Sequence, residues 1–327
     1  MARHSPRLCR SNRSPRHLRN RHPLNRNQHR RTIPRPRDTS PTDSVRAATI
    51  IIRAATVTVP ARAHAIDDTP KPYPPPILDQ VVKAEWNGDE LQRYQRQMQL
   101  PEIGERGQSR LRAARLLVIG AGALGSAAAY YLTAAGVGRL TIVDGDRVDY
   151  SNLQRQILHS TADVGRLKVE SARDKLTALN PNVAIKTVAE MFDRDNAMPL
   201  LRDTDFVIDA TDNHEAKFLI NDICVAAGVP FSIGAISRFS GQATTWIKGA
   251  PCYRCLFPDP PAKEPFAGPF GAVPGVVGSI QAAEAIKFVA GVGELLTGRL
   301  LTIDLLTMRF ATFTFCRDRS CKCCSRQ

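Results

Sequence analysis

The sequence predicts an α/β fold: a doubly wound, mainly parallel sheet with helices on both faces and an antiparallel extension at its C-terminal end. Three observations predict it. From about Asp89 onward, short continuous apolar runs alternate with helical segments, the pattern of strands buried on both faces between crossover helices. The first such run, Arg115–Ile119, leads directly into Gly120, Gly122 and Gly125, a G-x-G-x-x-G turn that opens a helix. Beyond Gly241 the stretches "GQATTWIKG" and "LLTIDLLTMRFATFTF" alternate apolar and polar residues, as antiparallel strands do.

The elements follow in order. Two polar helices come first, over "GDELQRYQRQMQL" and "GERGQSRLRAA". Then come strand Arg115–Ile119, helix Ala123–Ala135 and strand Leu140–Val143. A helix over about Lys168–Leu179 ends at "NP", where proline forbids continuation, and a strand follows near Ala184–Val188. "DFVIDATDN" reads as a buried strand running into a polar loop, then a helix over about His214–Ala227 and a strand in "VPFSIGA". A helix at Ser279–Ala290 separates the two antiparallel stretches, and there is no internal repeat.

The chain has 327 residues and a formal charge of +14, but the charge is unevenly placed. Residues 1–75 hold 15 Arg and one Lys against four Asp, so this arm supplies +12 of the excess. The remainder carries 29 basic and 27 acidic residues, an ordinary balance that argues against a nucleic-acid-binding fold. The arm, rich in Arg, Pro, Ser, His and Asn, is expected to be disordered, including its one apolar run "ATIIIRAATVTV", which Arg53 interrupts. Two units are therefore expected: residues 1–85 as a basic arm and residues 86–327 as the folded domain. Met1 to Arg37, Arg-rich and acid-free, fits an organelle transit peptide; a dispensable tail, or a start site placed too far upstream, is the preferred reading. No secretory signal and no membrane span are expected, and the chain is read as cytoplasmic.

The glycine turn points to a nucleotide. Gly120 permits the tight turn, Gly122 lets backbone approach phosphate, and Gly125 allows close helix packing, the Rossmann-like arrangement. The helix N-terminus offers open N–H groups to an anion. Asp144, 19 residues beyond Gly125 and at the end of the next strand, is placed to accept hydrogen bonds from ribose hydroxyls. These features leave NAD and ATP both open.

Downstream charges favour ATP. Arg155 and Lys168 follow the Asp144 strand, and two cations would neutralise charge developing on a triphosphate. Asn152 can bond to sugar or phosphate oxygens. Asp212 sits in the loop at the carboxyl end of a strand, where such sheets bind ligands, and suits magnesium. Taken singly, Lys168 reads equally as an exposed helix residue and Asp212 as the cap of the next helix.

Eight cysteines include two C-x-x-C pairs, Cys252 with Cys255 and Cys321 with Cys324, separated by 65 residues. Four thiolates make a closed tetrahedral zinc site, which would be structural. Cys323 is the alternative to Cys324, though its spacing from Cys321 is tight. A redox C-x-x-C is the main rival, and the second pair counts against it.

The motifs "RYQRQ", "GAGALGS", "DGDRVDYSNLQRQ", "GRLKVESA", "DATDN", "CYRC" and "GSIQAAEAIK", in that order, resemble the ubiquitin-activating-enzyme superfamily. The resemblance spans about Glu90 to Cys324 and is nearest to the bacterial sulfur-carrier adenylyltransferases, the molybdopterin-synthase branch first and the thiazole branch second. It implies ATP-dependent adenylation of the C-terminal Gly-Gly carboxylate of a small ubiquitin-like protein, with magnesium on the nucleotide. A separate sulfur donor would then complete a thiocarboxylate. It further implies that Gly120, Gly122, Gly125, Asp144, Ser151 and Asn152 hold the nucleotide, that Arg155 and Lys168 bind phosphates, and that Asp212 holds magnesium. Arg96 in "RYQRQ" would reach the ATP of the neighbouring subunit in a homodimer. The four cysteines would be the structural zinc site.

One departure bears on the branch. Members that link covalently to their carrier place a cysteine shortly before the stretch corresponding to "AGPFGAVPGVVGS"; here residues 256–279 contain none, and Glu264 falls near that place. A carboxylate forms no thioester, which leans toward an enzyme stopping at the acyl-adenylate, as in the molybdopterin branch. The chain ends just after the second cysteine pair, so no fused rhodanese-like domain is expected. An NAD-dependent oxidoreductase and a nucleic-acid-binding protein acting through the arm are the alternatives.

Overall fold

The computed structural model describes residues 85–260 and 268–325, together with the backbone of two strands at 48–52 and 55–59. Those two strands, β1 (Ala48–Ile52) and β2 (Ala55–Val59), pair as an antiparallel hairpin. Both lie within the arm, in the run "ATIIIRAATVTV", and both are rich in the β-branched residues that suit strands. The rest of the arm, Cys9 and Glu264 lie outside the described residues.

The main body opens with α1 (Gly88–Met98) and α2 (Gly104–Ala113), then β3 (Arg115–Ile119), α3 (Ala123–Ala134) and β4 (Arg139–Val143). There follow α4 (Lys168–Leu179), β5 (Ala184–Val188), α5 (Arg194–Leu201), β6 (Phe206–Asp209), α6 (His214–Ala227) and β7 (Phe231–Ser237). The C-terminal part adds β8 (Ser240–Trp246), α7 (Tyr253–Leu256), α8 (Ala272–Ala290), β9 (Arg299–Asp304) and β10 (Arg309–Thr314). One eight-stranded sheet runs β10-β9-β8-β7-β6-β3-β4-β5. Strands β5, β4, β3, β6 and β7 are parallel, and β8 to β10 extend β7 in antiparallel pairs.

Period-2 burial shows why the sheet is covered on both faces. Leu116 and Val118 of β3 enter one apolar cluster with α3, α4 and α8, while Leu117 and Ile119 enter the other with α6. Strand β6 divides likewise, Phe206 and Ile208 against Val207. A strand whose two faces are both buried has no polar positions to alternate, hence the continuous apolar runs.

Two elements differ from expectation. Helix α5 arises from "RDNAMPLL", whose Pro199 signals a break; the Asp193–Asn196 capping box starts the helix regardless. Helix α8 begins at Ala272, not Ser279. Its Pro274 sits in the first turn, where no backbone donor is needed, and a Cβ on Gly278 would stand 2.3 Å from the Leu124 carbonyl oxygen. The glycine that reads as loop is thus a contact that lets α8 press onto α3. Among the described residues α8 is also the one helix long and apolar enough to cross a membrane by length and composition. Its buried Gln281 donates to the carbonyls of Asp209 and Ser232, and its buried Glu284 accepts from Thr245, which marks it as a core helix of the sheet.

Candidate nucleotide site and thiolate cluster

Strand β3 leaves toward β4 on one side, and β6 lies on its other side, so the crevice between their carboxyl ends is the topological switch point of the sheet. A cleft opens there. Gly120, Gly122, Asp144, Arg155, Lys168 and Asp212 all line it. These six expected residues, up to 92 positions apart in the chain, share one space.

The glycine turn is held by its neighbours. Gly120 has φ +100°, and a Cβ there would stand 2.9 Å from the Ala210 carbonyl oxygen of the β6 end. Gly125 does not line the cleft; a Cβ on it would lie 1.9 Å from the Gly120 carbonyl oxygen, so it serves the close helix approach. Between them, Ala121 is fixed on both sides. Its N–H donates to Asp144 Oδ2 at 2.7 Å, and its carbonyl accepts from His159 Nε2 at 2.9 Å. Helix α3 has no side-chain cap at Gly122, so its first-turn N–H groups remain for an anion.

Asp144 is buried, and its second oxygen accepts from the Asp146 N–H at 2.8 Å. A carboxylate oxygen has two lone pairs, so ribose hydroxyls can still be accepted. Lys168 begins α4, is 6 % exposed and pairs with Asp146 Oδ2 at 2.7 Å, which excludes the reading of an exposed helix residue. Arg155 Nη1 donates to the Ser151 carbonyl at 2.8 Å. The cap of α6 is Asn213, whose Oδ1 accepts from the Ala216 N–H at 2.8 Å, so Asp212 is not that cap.

Ser151 and Asn152 do not line the cleft. They lie in a single 3-10 turn, Tyr150–Asn152, where both bond to Asp149. Arg96 is exposed on the last turn of α1 and does not line the cleft of its own chain.

Four cleft or near-cleft residues are not among those expected from the sequence. Gln156 lines the cleft with its Oε1 buried and lacking a partner. His159 sits behind the turn. Asp209 and Lys217 form a buried pair at the cleft floor, Nζ to Oδ1 3.2 Å. Buried amide, imidazole and ion-pair residues of this kind look like ordinary strand-end and helix residues in one dimension. The spacing Asp209 to Lys217, roughly two helical turns after a strand end, was the one available hint.

The second site joins α7 to the C-terminal segment. The Sγ atoms of Cys252, Cys255, Cys321 and Cys324 all lie within 4.8 Å of one another, with Cys252 to Cys321 at 3.6 Å and Cys255 to Cys324 at 3.4 Å. Zinc–sulfur bonds of about 2.3 Å in a tetrahedron set sulfurs about 3.8 Å apart, so this donor set could hold zinc with little movement. Burial pushes the Cys324 thiol up to about 11, so a cation is what would let these thiols ionise together. Cys323 is not one of these four, and its Sγ accepts from Asn221 Nδ2 at 3.4 Å.

Residues 94–325 match the model of the ThiF family. The chain belongs to the ThiF family. A sulfur carrier protein adenylyltransferase of Thermus thermophilus is 45 % identical over 250 residues, covering 73 % of this chain and 92 % of that protein. The SAMP-activating enzyme E1 of Haloferax volcanii is 44 % identical, covering 72 % and 89 %. The adenylyltransferase and sulfurtransferase MOCS3 of Mus musculus is 46 % identical over 71 % of this chain, which spans 51 % of that protein. Among solved structures, E. coli MccB with ATP superposes with a TM-score of 0.64 at 22 % identity, over 71 % of this chain and 74 % of that one, a likeness of fold.

Proposed function

We propose that this ThiF-family adenylyltransferase activates the C-terminal Gly-Gly carboxylate of a small ubiquitin-like sulfur carrier, the small subunit of molybdopterin synthase first among candidates. The observation that carries the reading is the meeting of the glycine turn, Asp144, two cations and Asp212 in one cleft at the switch point. Sequence relatives named as sulfur carrier adenylyltransferases support the reaction class. The thiazole carrier, or the carrier of another sulfur pathway, is the alternative, because the cleft reads the nucleotide and not the partner.

In this reading the open N–H groups of α3 and the side chains of Arg155 and Lys168 hold the phosphates, Asp144 holds the ribose, and Ser151 and Asn152 close over the nucleotide. Asp212 holds the magnesium that accompanies ATP. The carrier carboxylate oxygen forms a bond to the α-phosphorus, the bond from that phosphorus to the bridging oxygen breaks, and pyrophosphate leaves. The two cations stabilise the charge that builds on the phosphate oxygens as the bonds exchange. Arg96 would act on the partner subunit's nucleotide within a homodimer. A sulfide-level sulfur nucleophile from a separate donor then bonds to the acyl carbon of the acyl-adenylate, the bond from that carbon to the phosphate oxygen breaks, and AMP leaves. Zinc held by Cys252, Cys255, Cys321 and Cys324 would be structural, since four protein ligands leave no open position.

Exchange of labelled pyrophosphate into ATP tests this directly. Exchange should appear only with a Gly-Gly-tailed carrier and should fall on removing the last glycine. A panel of molybdopterin and thiazole carriers distinguishes the two branches, and no exchange with any of them refutes the reading.

A further inference from the structure

The floor of the cleft carries an ion pair that the reaction as described does not use. Asp209 ends β6 with no solvent exposure, and Lys217, on the second turn of α6, is 3 % exposed. Charged side chains this deep are rare unless they are paired, and these two are. Lys217 Nζ donates to Asp209 Oδ1 at 3.2 Å and to the Gly234 carbonyl of β7 at 2.6 Å. The same Asp209 Oδ1 accepts from the Thr211 N–H at 3.0 Å and from Thr211 Oγ1 at 2.6 Å. One carboxylate oxygen therefore gathers three donors, two of them from the residue next to Asp212. The other oxygen, Oδ2, is buried without a partner. The lysine in turn anchors this knot to the neighbouring strand.

We propose that the Asp209–Lys217 pair is a positioning device that fixes the Thr211–Asn213 loop against β7 and so sets where Asp212 meets the magnesium–triphosphate. The inference rests on the role given above to Asp212. A helix-capping loop alone would leave Thr211, the residue next to Asp212, free to rotate about the β6 end. The triple acceptance at Asp209 Oδ1 removes that freedom before the nucleotide arrives. Positioning of this kind acts on how the magnesium–triphosphate is seated, and through that on the reacting geometry, while binding of the metal-free nucleotide is left alone, because the pair lies beneath the loop and contacts it from below. Lys217 does line the cleft floor, yet its Nζ is already engaged by a carboxylate and a carbonyl, so it holds protein and not phosphate.

Removing one partner strands a buried charge and risks the fold, so the test uses D209N/K217M, which removes both charges together, alongside K217R, which keeps the cation. Affinities for ATP are measured by calorimetry with magnesium and with EDTA, a readout that needs no carrier. Wild type should bind more tightly with magnesium; the double variant should bind as wild type in EDTA and lose the gain from magnesium, while K217R keeps it. In pyrophosphate exchange, run with magnesium, kcat of the double variant should fall about 100-fold, and KM for ATP should rise by no more than the magnesium gain that calorimetry reads for wild type. A folded double variant that keeps the magnesium gain and kcat overturns the proposal, as does a K217R variant as impaired as the double. If wild type itself gains nothing from magnesium, the role of Asp212 fails first and the pair's role falls with it.

Discussion

At the scale of single residues, the glycine turn works because its neighbours have already chosen its shape. His159 shows this. A carbonyl can only accept, so Nε2 carries the proton toward Ala121, and Nδ1 accepts from Ser171 Oγ at 2.9 Å. The neutral ring satisfies both bonds. Burial lowers the His159 pKa, the bond to the Ala121 carbonyl opposing it in part, with Lys168 and Lys175 adding to the lowering. A lowered imidazole pKa means that the unfolded chain, near 6.5, takes up a proton which the folded chain refuses. This contribution to stability is therefore complete above that value and is lost progressively as the pH falls below it. Urea midpoints taken from about pH 8 to about pH 5.5 should fall for wild type and fall less for H159Q. Equal slopes would mean that the folded ring titrates freely. None of this is visible in "QILHST", because a histidine that supports a turn 38 residues away looks like any other histidine.

At the scale of elements, α6 joins the two sites. Its N-terminal half carries Lys217 at the cleft floor, and its later residues Asn221 and Asp222 are clamped by the cysteine knuckle. Asn221 Oδ1 accepts from the Tyr253 N–H at 2.9 Å, and Arg254 forks onto the Asp222 carboxylate at 2.6 and 2.7 Å. A metal at the four thiols would thus brace α7 and the C-terminal segment against α6. Purified protein should carry about one zinc per chain, measured by elemental mass spectrometry. C324S should lose the metal while C323S keeps it, since only Cys324 joins the cluster of four. The reverse outcome would place Cys323 in the site. The C-x-x-C spacing already favoured Cys324, but only the fold brings two pairs 65 residues apart together. The opposite failing appears in α8. The helix expected from Ser279 starts at Ala272, because glycine and proline signal a helix break in isolation, whereas Gly278 is required by the approach of α3.

At the scale of the whole molecule, the sheet order 5-4-3-6-7 of its parallel part places the ends of β3 and β6 side by side. That adjacency gathers the glycine turn with Asp212, though their order along the chain does not suggest it. Arg96 is the residue that this scale leaves facing outward. It is exposed, on a helix fixed to the body by Tyr94, whose hydroxyl accepts from Asn180 Nδ2 at 2.9 Å. If it acts on a partner's nucleotide, R96A and K168M chains should each be inactive alone. Mixed and reassociated, they should recover about a quarter of wild-type exchange, because half of the dimers pair one damaged chain of each kind and restore one of two sites. No recovery on mixing would assign Arg96 to its own chain or to neither.

The sequence by itself determined the fold class, the glycine turn with Asp144, the two cations, Asp212 and the paired cysteines. Each of these is written in local spacing, through the period of a strand, the reach of a turn or the bite of a metal. The tertiary structure alone decided what supports them: His159 behind Ala121, Gln156 in the cleft wall, Gly278 beneath α3, and Asp209 with Lys217 under the Asp212 loop. Such residues act through burial and through partners distant in sequence. Their physical meaning exists only once a low-dielectric interior makes each unpaired polar atom costly.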